Sequence, residues 1–111
     1  EGAKAIGGSL RVNSVLTSLD LNYNRIGNEG AKVIADALHK SVLTKLNLGN
    51  NGIGGIGSRG AVKEAVDAIC AALRVNSTLT WLNLANNNQN SDGKAALREI
   101  AERRPLLTIV L

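Results

Sequence analysis

Phenylalanine and methionine are absent, and cysteine, histidine, tryptophan and tyrosine each occur once among 111 residues. These shortages close off whole classes of function. A single cysteine, Cys70, permits no internal disulfide and fits a reducing compartment, so an intracellular, cytoplasmic location is expected. Cys70 lies among alanines and reads as a small packing residue. The lone His39 has no cysteine or carboxylate cluster beside it; it falls near a helix C-terminus, where a cation is mildly favourable. No Ser–His–Asp triad or carboxylate pair can be assembled. Neither catalytic residues nor a metal nor a cofactor are therefore expected. No stretch approaches the roughly 18 apolar residues of a membrane span. The opening Glu1-Gly2-Ala3-Lys4-Ala5-Ile6 has no methionine and no signal-peptide layout.

Charge is short of a pattern rather than of number. The net charge is +4, yet the 13 basic residues are spread from Lys4 to Arg104, and Arg103-Arg104 is the only adjacent pair. A nucleic-acid binder gathers its cations on one face and interleaves aromatics. The surplus reads instead as solubility with weak attraction for acidic partners, and no nucleic-acid partner is expected. Asn76-Ser77-Thr78 matches the glycosylation pattern, but the match is short and sits in a loop.

What is present is a repeat. Leu16 to Asn24, Leu43 to Asn51 and Leu79 to Asn87 each read L-x-x-L-x-L-x-x-N, and a fourth segment begins with Leu106, Ile109 and Leu111. The intervals are 27, 36 and 27 residues. The other half of the unit recurs as well: Gly2 to Ile6 with Leu10 matches Gly30 to Ile34 with Leu38, and Leu10 to Ser14 returns as Leu73 to Ser77.

Period two sends Leu19 and Leu21 to one side of a strand. Leu46 and Leu48, then Leu82 and Leu84, are expected to stack beside them in a parallel sheet. The turn that follows leaves backbone groups without a ladder partner. Asn24, Asn51 and Asn87 are placed to serve them, because a side-chain amide mimics the peptide group. Ile26 and Ile53 then return to the core. An amphipathic helix is expected from Glu29 to His39, with Ala31, Ile34, Ala37 and Leu38 inward and Lys32, Asp36 and Lys40 in water. Stacking of units buries what no single unit could.

The N-x-I-G turn, the following G-A and the long helix resemble the ribonuclease-inhibitor class of leucine-rich repeats. That class includes ribonuclease inhibitor, the sensor arrays of NOD-like receptors and the Ran GTPase-activating protein. The resemblance implies an α/β leucine-rich-repeat solenoid, a horseshoe fragment with a parallel inner sheet and outer helices. About three complete repeats and partial ones at both ends are expected, in one domain over residues 1–111. Architecture is shared across that class while function is not.

The units are not uniform. The second is nine residues longer, taken up by a glycine-rich turn from Gly52 to Gly60 and a helix from Ser58 to Val75. Val62, Ala65, Val66, Ile69, Ala72 and Leu73 form its buried stripe; Lys63, Glu64 and Asp67 lie outside. In the third unit Gln89 and Asn90 replace the Ile-Gly pair, and a helix after Asp92 carries Lys94, Arg98, Glu99, Glu102, Arg103 and Arg104. Such atypical units cap arrays. Residues 1–12 read as a helix without its strand. The chain is thus expected to be the C-terminal part of a longer array.

Gly52-Ile53-Gly54-Gly55-Ile56-Gly57 spells G-x-G-x-x-G between a strand and a helix, the setting of a dinucleotide turn. Ile53-Gly54 is already explained by its counterpart Ile26-Gly27, and no acidic residue follows the next strand. An inserted turn is the expected reading.

Both aromatics fall off the core positions. Trp81 aligns with Ser18, Lys45 and Thr108, and Tyr23 with Asn50 and Asn86. They are expected to project from the concave sheet face, together with Asp20, Asn22, Asn47 and Asn83. Exposed aromatics anchor protein interfaces, although Trp81 lying flat over Lys45 and Thr108 would serve only to cover the sheet. A protein-binding scaffold is expected, its partner a protein of unknown identity. The alternatives are a structural subunit packed through its helices and open ends in a larger complex, or a piece of a GTPase-activating or NOD-like sensor array.

Overall fold

Leucines spaced three and then two residues apart give each unit one short strand, and the computed structural model lays these strands side by side. It describes residues 2–12, 15–38, 40–54, 59–87 and 91–111. Among the described residues the elements alternate: α1 (Gly2–Val12), β1 (Ser18–Asp20), α2 (Gly27–Leu38), β2 (Lys45–Asn47), α3 (Arg59–Val75), β3 (Trp81–Asn83), α4 (Ser91–Arg103) and β4 (Thr108–Val110). The strands form one parallel sheet in the order β1-β2-β3-β4. Leu19, Leu46, Leu82 and Ile109 stand in register. This is an α/β solenoid, as the repeat implies.

The core lies between sheet and helices and, among the described residues, contains no aromatic side chain. Leu46, Leu48, Leu82, Leu84 and Ile53 are buried, as are Ala31, Ile34, Ala37 and Leu38 of α2. Ala65, Val66, Ile69, Ala72 and Leu73 of α3 are buried too, and Cys70 joins them. Burial is graded along the stack. Leu19 and Ile26 of the first unit are only half-buried, where Leu46 and Ile53 are sealed. On the solvent side Lys32 of α2 meets Glu64 of α3 at 3.1 Å, which holds the Lys32 ammonium above its ordinary pKa.

The asparagine ladder runs in one direction. Asn51 Oδ1 accepts from the N–H of Asn24 at 2.7 Å and of Ile26 at 3.3 Å, in the unit before it. Asn51 Nδ2 donates to the carbonyls of Leu21 and Gly49. Asn87 treats the second unit alike: its Oδ1 accepts from the N–H of Asn51 and Ile53, and its Nδ2 donates to Leu48 and Leu84. Asn24 departs from this expectation. It is exposed, and its amide reaches only the Asn22 carbonyl, because β1 is an edge strand and no described strand precedes it in the sheet.

Several boundaries shift for physical reasons. Helix α2 starts two residues early, at Gly27, and is described as far as Leu38. After it, the Ser41 hydroxyl donates to the Leu38 carbonyl and closes the end. His39, Gly55 to Ser58, Gln89 and Asn90 lie outside the described residues. The Leu106 position is corrected: Leu106 is 84% exposed and Leu107 takes the core place at 4%. The connector from α4 to β4 spans only residues 104–107, against 76–80 for α3 to β3. The Leu107 N–H folds back onto the Arg104 carbonyl, which turns the chain by one residue. Arg104 is corrected likewise: it lies just past the end of α4 rather than on that helix, and its guanidinium donates to the carbonyls of Leu73 at 2.7 Å and Leu79 at 3.1 Å. We expect Leu107→Ala to cost about 2–4 kcal/mol in urea denaturation and Leu106→Ala less than about 0.5 kcal/mol.

The glycosylation reading of Asn76 fails on burial. Asn76 is 4% exposed; its Nδ2 donates to the Leu38 carbonyl and its Oδ1 accepts from the N–H of Thr78 and Leu79.

Candidate protein-binding face

On the side of the sheet away from the core, the register sets two rows of side chains. Ser18, Lys45, Trp81 and Thr108 form one; Asp20, Asn47, Asn83 and Val110 form the other. The buried leucines between them fix this orientation, since alternate residues of a strand point to opposite faces. Strands spaced about 4.8 Å apart set Lys45 next to Trp81. Trp81 is half-buried and Lys45 exposed, and Lys45 forms no ion pair with a described residue.

The second row has a structural duty that its sequence positions did not disclose. Asp20 Oδ1 accepts from Asn22 N–H, Asn47 Oδ1 from Gly49 N–H and Asn83 Oδ1 from Ala85 N–H, all at 2.8–2.9 Å. Each therefore turns the backbone out of its strand, as Asx side chains do. Asn83 Nδ2 also donates to Asn47 Oδ1, and Asn50 Nδ2 to Asn22 Oδ1. Gly49 sits buried at their centre. A Cβ there would lie 3.0 Å from Asn22 Oδ1, 3.1 Å from Asn83 Nδ2 and 3.2 Å from Asn47 Oδ1, so glycine is what lets the amides converge. The result is a band of immobilised amides, able to donate and accept but not to attack a substrate.

Tyr23 stands apart from Trp81. It is 74% exposed on the loop that follows β1, with its N–H bonded to the Gly49 carbonyl and φ at +59°. Of the seven residues selected for contact, the structure brings Asp20, Lys45, Asn47, Trp81 and Asn83 onto the sheet, Asn22 to its end, and Tyr23 to the rim.

Several contributors escaped the sequence reading. Thr44 and Thr80 hydroxyls donate to the carbonyls of Thr17 and Thr44, lacing the strand starts together. Asn28 Oδ1 accepts from Gly54 N–H. The threonine column was visible in the aligned segments as a recurring second residue. Arg25 carries no such signal by itself; only its alignment with Gly52 marks it.

The described part of the glycine-rich turn does not cradle a phosphate. The N–H groups of Ile53 and Gly54 are already given to Asn87 and Asn28, and Ile53 is wholly buried. Burial also pushes the Cys70 thiol up, against a smaller opposing pull from Arg74. A protonated, enclosed thiol is a poor nucleophile. Among the described residues no three His, Cys, Asp or Glu side chains are grouped to hold a metal ion, and no helix is long and apolar enough to cross a membrane.

Comparison with known proteins agrees with this architecture. The Leucine Rich repeat family model matches residues 12–35 and 39–62. No curated protein matches the chain. Among solved structures, actin-binding site 2 of leiomodin-1 superimposes with a TM-score of 0.79 at 23% identity, over 97% of this chain. The chain spans 60% of the length of that structure. Two repeats matched in sequence, and a fold shared along nearly the whole chain, fit an α/β leucine-rich-repeat solenoid.

Proposed function

We propose that the chain is a non-catalytic scaffold of ribonuclease-inhibitor type that binds a protein partner through the concave face of its sheet. The observation that carries this reading is Trp81. In a molecule whose described core has no aromatic side chain, the one tryptophan is placed outside, half-exposed, between Lys45 and Thr108. A large amphipathic ring beside a free ammonium and a band of fixed amides has the makings of an interface centre with a polar rim. Preset amides also lower the ordering cost of binding. Burial of Cys70 fits the reducing, intracellular setting in which we place the scaffold.

The structural neighbour bears an actin-binding site, so actin is the first partner to test. Co-sedimentation with filaments and titration with monomers are expected to detect binding. Trp81→Ala should weaken it about thirty-fold or more while leaving the thermal midpoint nearly unchanged. No binding at all would remove actin as the partner. Binding that survives both Trp81→Ala and Lys45→Ala would remove the concave face.

A second reading has its own observation. Val15, Val75 and Leu106 are large apolar residues left 81%, 67% and 84% exposed, none of them on the sheet face. They suit a subunit packed into a larger assembly through its helices and ends. Protection of these residues rather than Trp81 in footprinting of the assembled protein would favour it.

A further inference from the structure

The loop after β1 holds two bulky side chains on a backbone that favours glycine and asparagine. Tyr23 has φ +59° and Arg25 φ +52°. Their counterparts in the next unit are Asn50 at +56° and Gly52 at +67°, and the third unit again has an asparagine, Asn86, at +58°. The left-handed region is disfavoured for L-residues other than Gly, Asn and Asp. Here it is imposed from outside. Asn51 Oδ1 fixes the N–H of Asn24 and Ile26, and Gly49 and Asn51 carbonyls take those of Tyr23 and Gly27. The loop is thus clamped at the N–H groups of Tyr23, Asn24, Ile26 and Gly27, while the two strained residues, Tyr23 and Arg25, are both exposed. Strain of this kind, held by a rigid frame, is characteristic of contact sites.

The surroundings define what such a site would take. Beside Arg25 opens a hollow of about 330 Å³ between α1 and α2. Ile6, Ile26 and Val33 give it an apolar floor; Lys4 and Arg25 set two cations at its rim against the single carboxylate of Glu29. Arg25 forms no hydrogen bond or ion pair with a described residue.

We propose that the loop Asn22–Ile26 is a preorganised docking point for an acidic segment of a protein partner, which sets a carboxylate against Arg25 and Lys4, an apolar side chain in the hollow and a contact on Tyr23. This rests on the reading of the chain as a protein binder but not on the concave face. Arg25 is the specificity-determining residue, since its planar fork matches a carboxylate. A docking point already locked in place gives up little conformational freedom on binding.

The test uses a labelled peptide of alternating Glu and Leu, read by fluorescence anisotropy at low salt, with Gln/Leu and Lys/Leu peptides of equal length as controls. The acidic peptide is expected to bind at least about ten-fold more tightly than either control, and to weaken as salt rises. The double variant Tyr23→Asn, Arg25→Gly installs the residues of the sibling unit. It is expected to raise the thermal midpoint by about 4 °C or more as the strain is relieved, and to lose about ten-fold or more in peptide affinity. Because that variant is the more stable protein, its loss of binding is not a loss of folding. Undiminished affinity in the double variant, equal binding of all three peptides, or no gain in thermal midpoint would each overturn the proposal. Trp81→Ala is expected to leave peptide binding intact. Loss there would move the peptide to the sheet face, sinking the loop and sparing the concave-face reading.

Discussion

Asn51→Ala is expected to destabilise the protein by about 3–5 kcal/mol, although it removes only one small polar side chain. The reason is its four partners. Asn51 is 2% exposed and serves two N–H groups, of Asn24 and Ile26, and two carbonyls, of Leu21 and Gly49. Alanine leaves these groups unsatisfied, each costing about 1–3 kcal/mol where water cannot replace the amide. The upper part of that sum is not reached, since the edge loop lies near solvent and two of the groups can rehydrate. The thermal midpoint should fall by roughly 12–25 °C. The control is its sequence twin. Asn24 stands at the same place in its unit but is exposed, and its side chain bonds only to the Asn22 carbonyl among the described residues. Asn24→Ala should cost less than about 1 kcal/mol. Urea denaturation of both variants decides the matter; equal costs would show that the ladder contributes nothing beyond the turn itself.

Leu46→Ala should be of similar size, about 3–5 kcal/mol, for a different reason. Leu46 is fully buried in an inner strand, in register with Leu19 on one side and Leu82 on the other. Truncation removes apolar contact and leaves a cavity that two flanking strands prevent from collapsing. Leu19→Ala, at the edge strand where the side chain is only half-buried, should cost about half as much. Natural domains hold about 5–15 kcal/mol in all. Leu46→Ala therefore brings the chain close to its limit, and a broadened transition with a lower m-value would indicate that the stack had begun to unfold in parts.

The fold was readable because the repeat constrains strand and turn together. L-x-x-L-x-L-x-x-N sets the inward leucines by period two, and the spacing leaves room for one helix between strands. Register, order and parallel direction follow from that. End effects were less legible. Asn24 and Asn51 hold the same place in the repeat, and a neighbouring strand on one side makes the second buried where the first is exposed. Leu106 and Leu107 are both leucine, so the pattern alone favoured the first; the short four-residue connector selected the second. Arg104 continued the charge pattern of the helix, whereas the carbonyls of Leu73 in α3 and Leu79 before β3 hold it past the helix end.

The face was legible in outline and not in detail. Alternation placed Lys45, Trp81, Asn47 and Asn83 on one side. It did not reveal that Asp20, Asn47 and Asn83 also bend the chain out of each strand, so substituting them tests folding along with recognition. Trp81 and Lys45 carry no such second duty and are the cleaner probes. The strain at Tyr23 and Arg25 could have been found by aligning them with Asn50 and Gly52, since only φ explains that column.

The one-way asparagine ladder gives the stack a polarity in how it comes apart. Each ladder amide holds the backbone of the unit before it, so losing the first unit releases Asn51 to water, as Asn24 already is, and takes one side-chain acceptor from the backbone of the second turn, Asn28 Oδ1 from the Gly54 N–H. Losing the third unit removes Asn87 and leaves the N–H groups of Asn51 and Ile53 without acceptors. Local opening is thus expected to cost less from the first unit than from the third. The stack resembles a rope whipped more tightly at one end, while the turn that carries Tyr23 and Arg25 stays tied by Gly49 and Asn51.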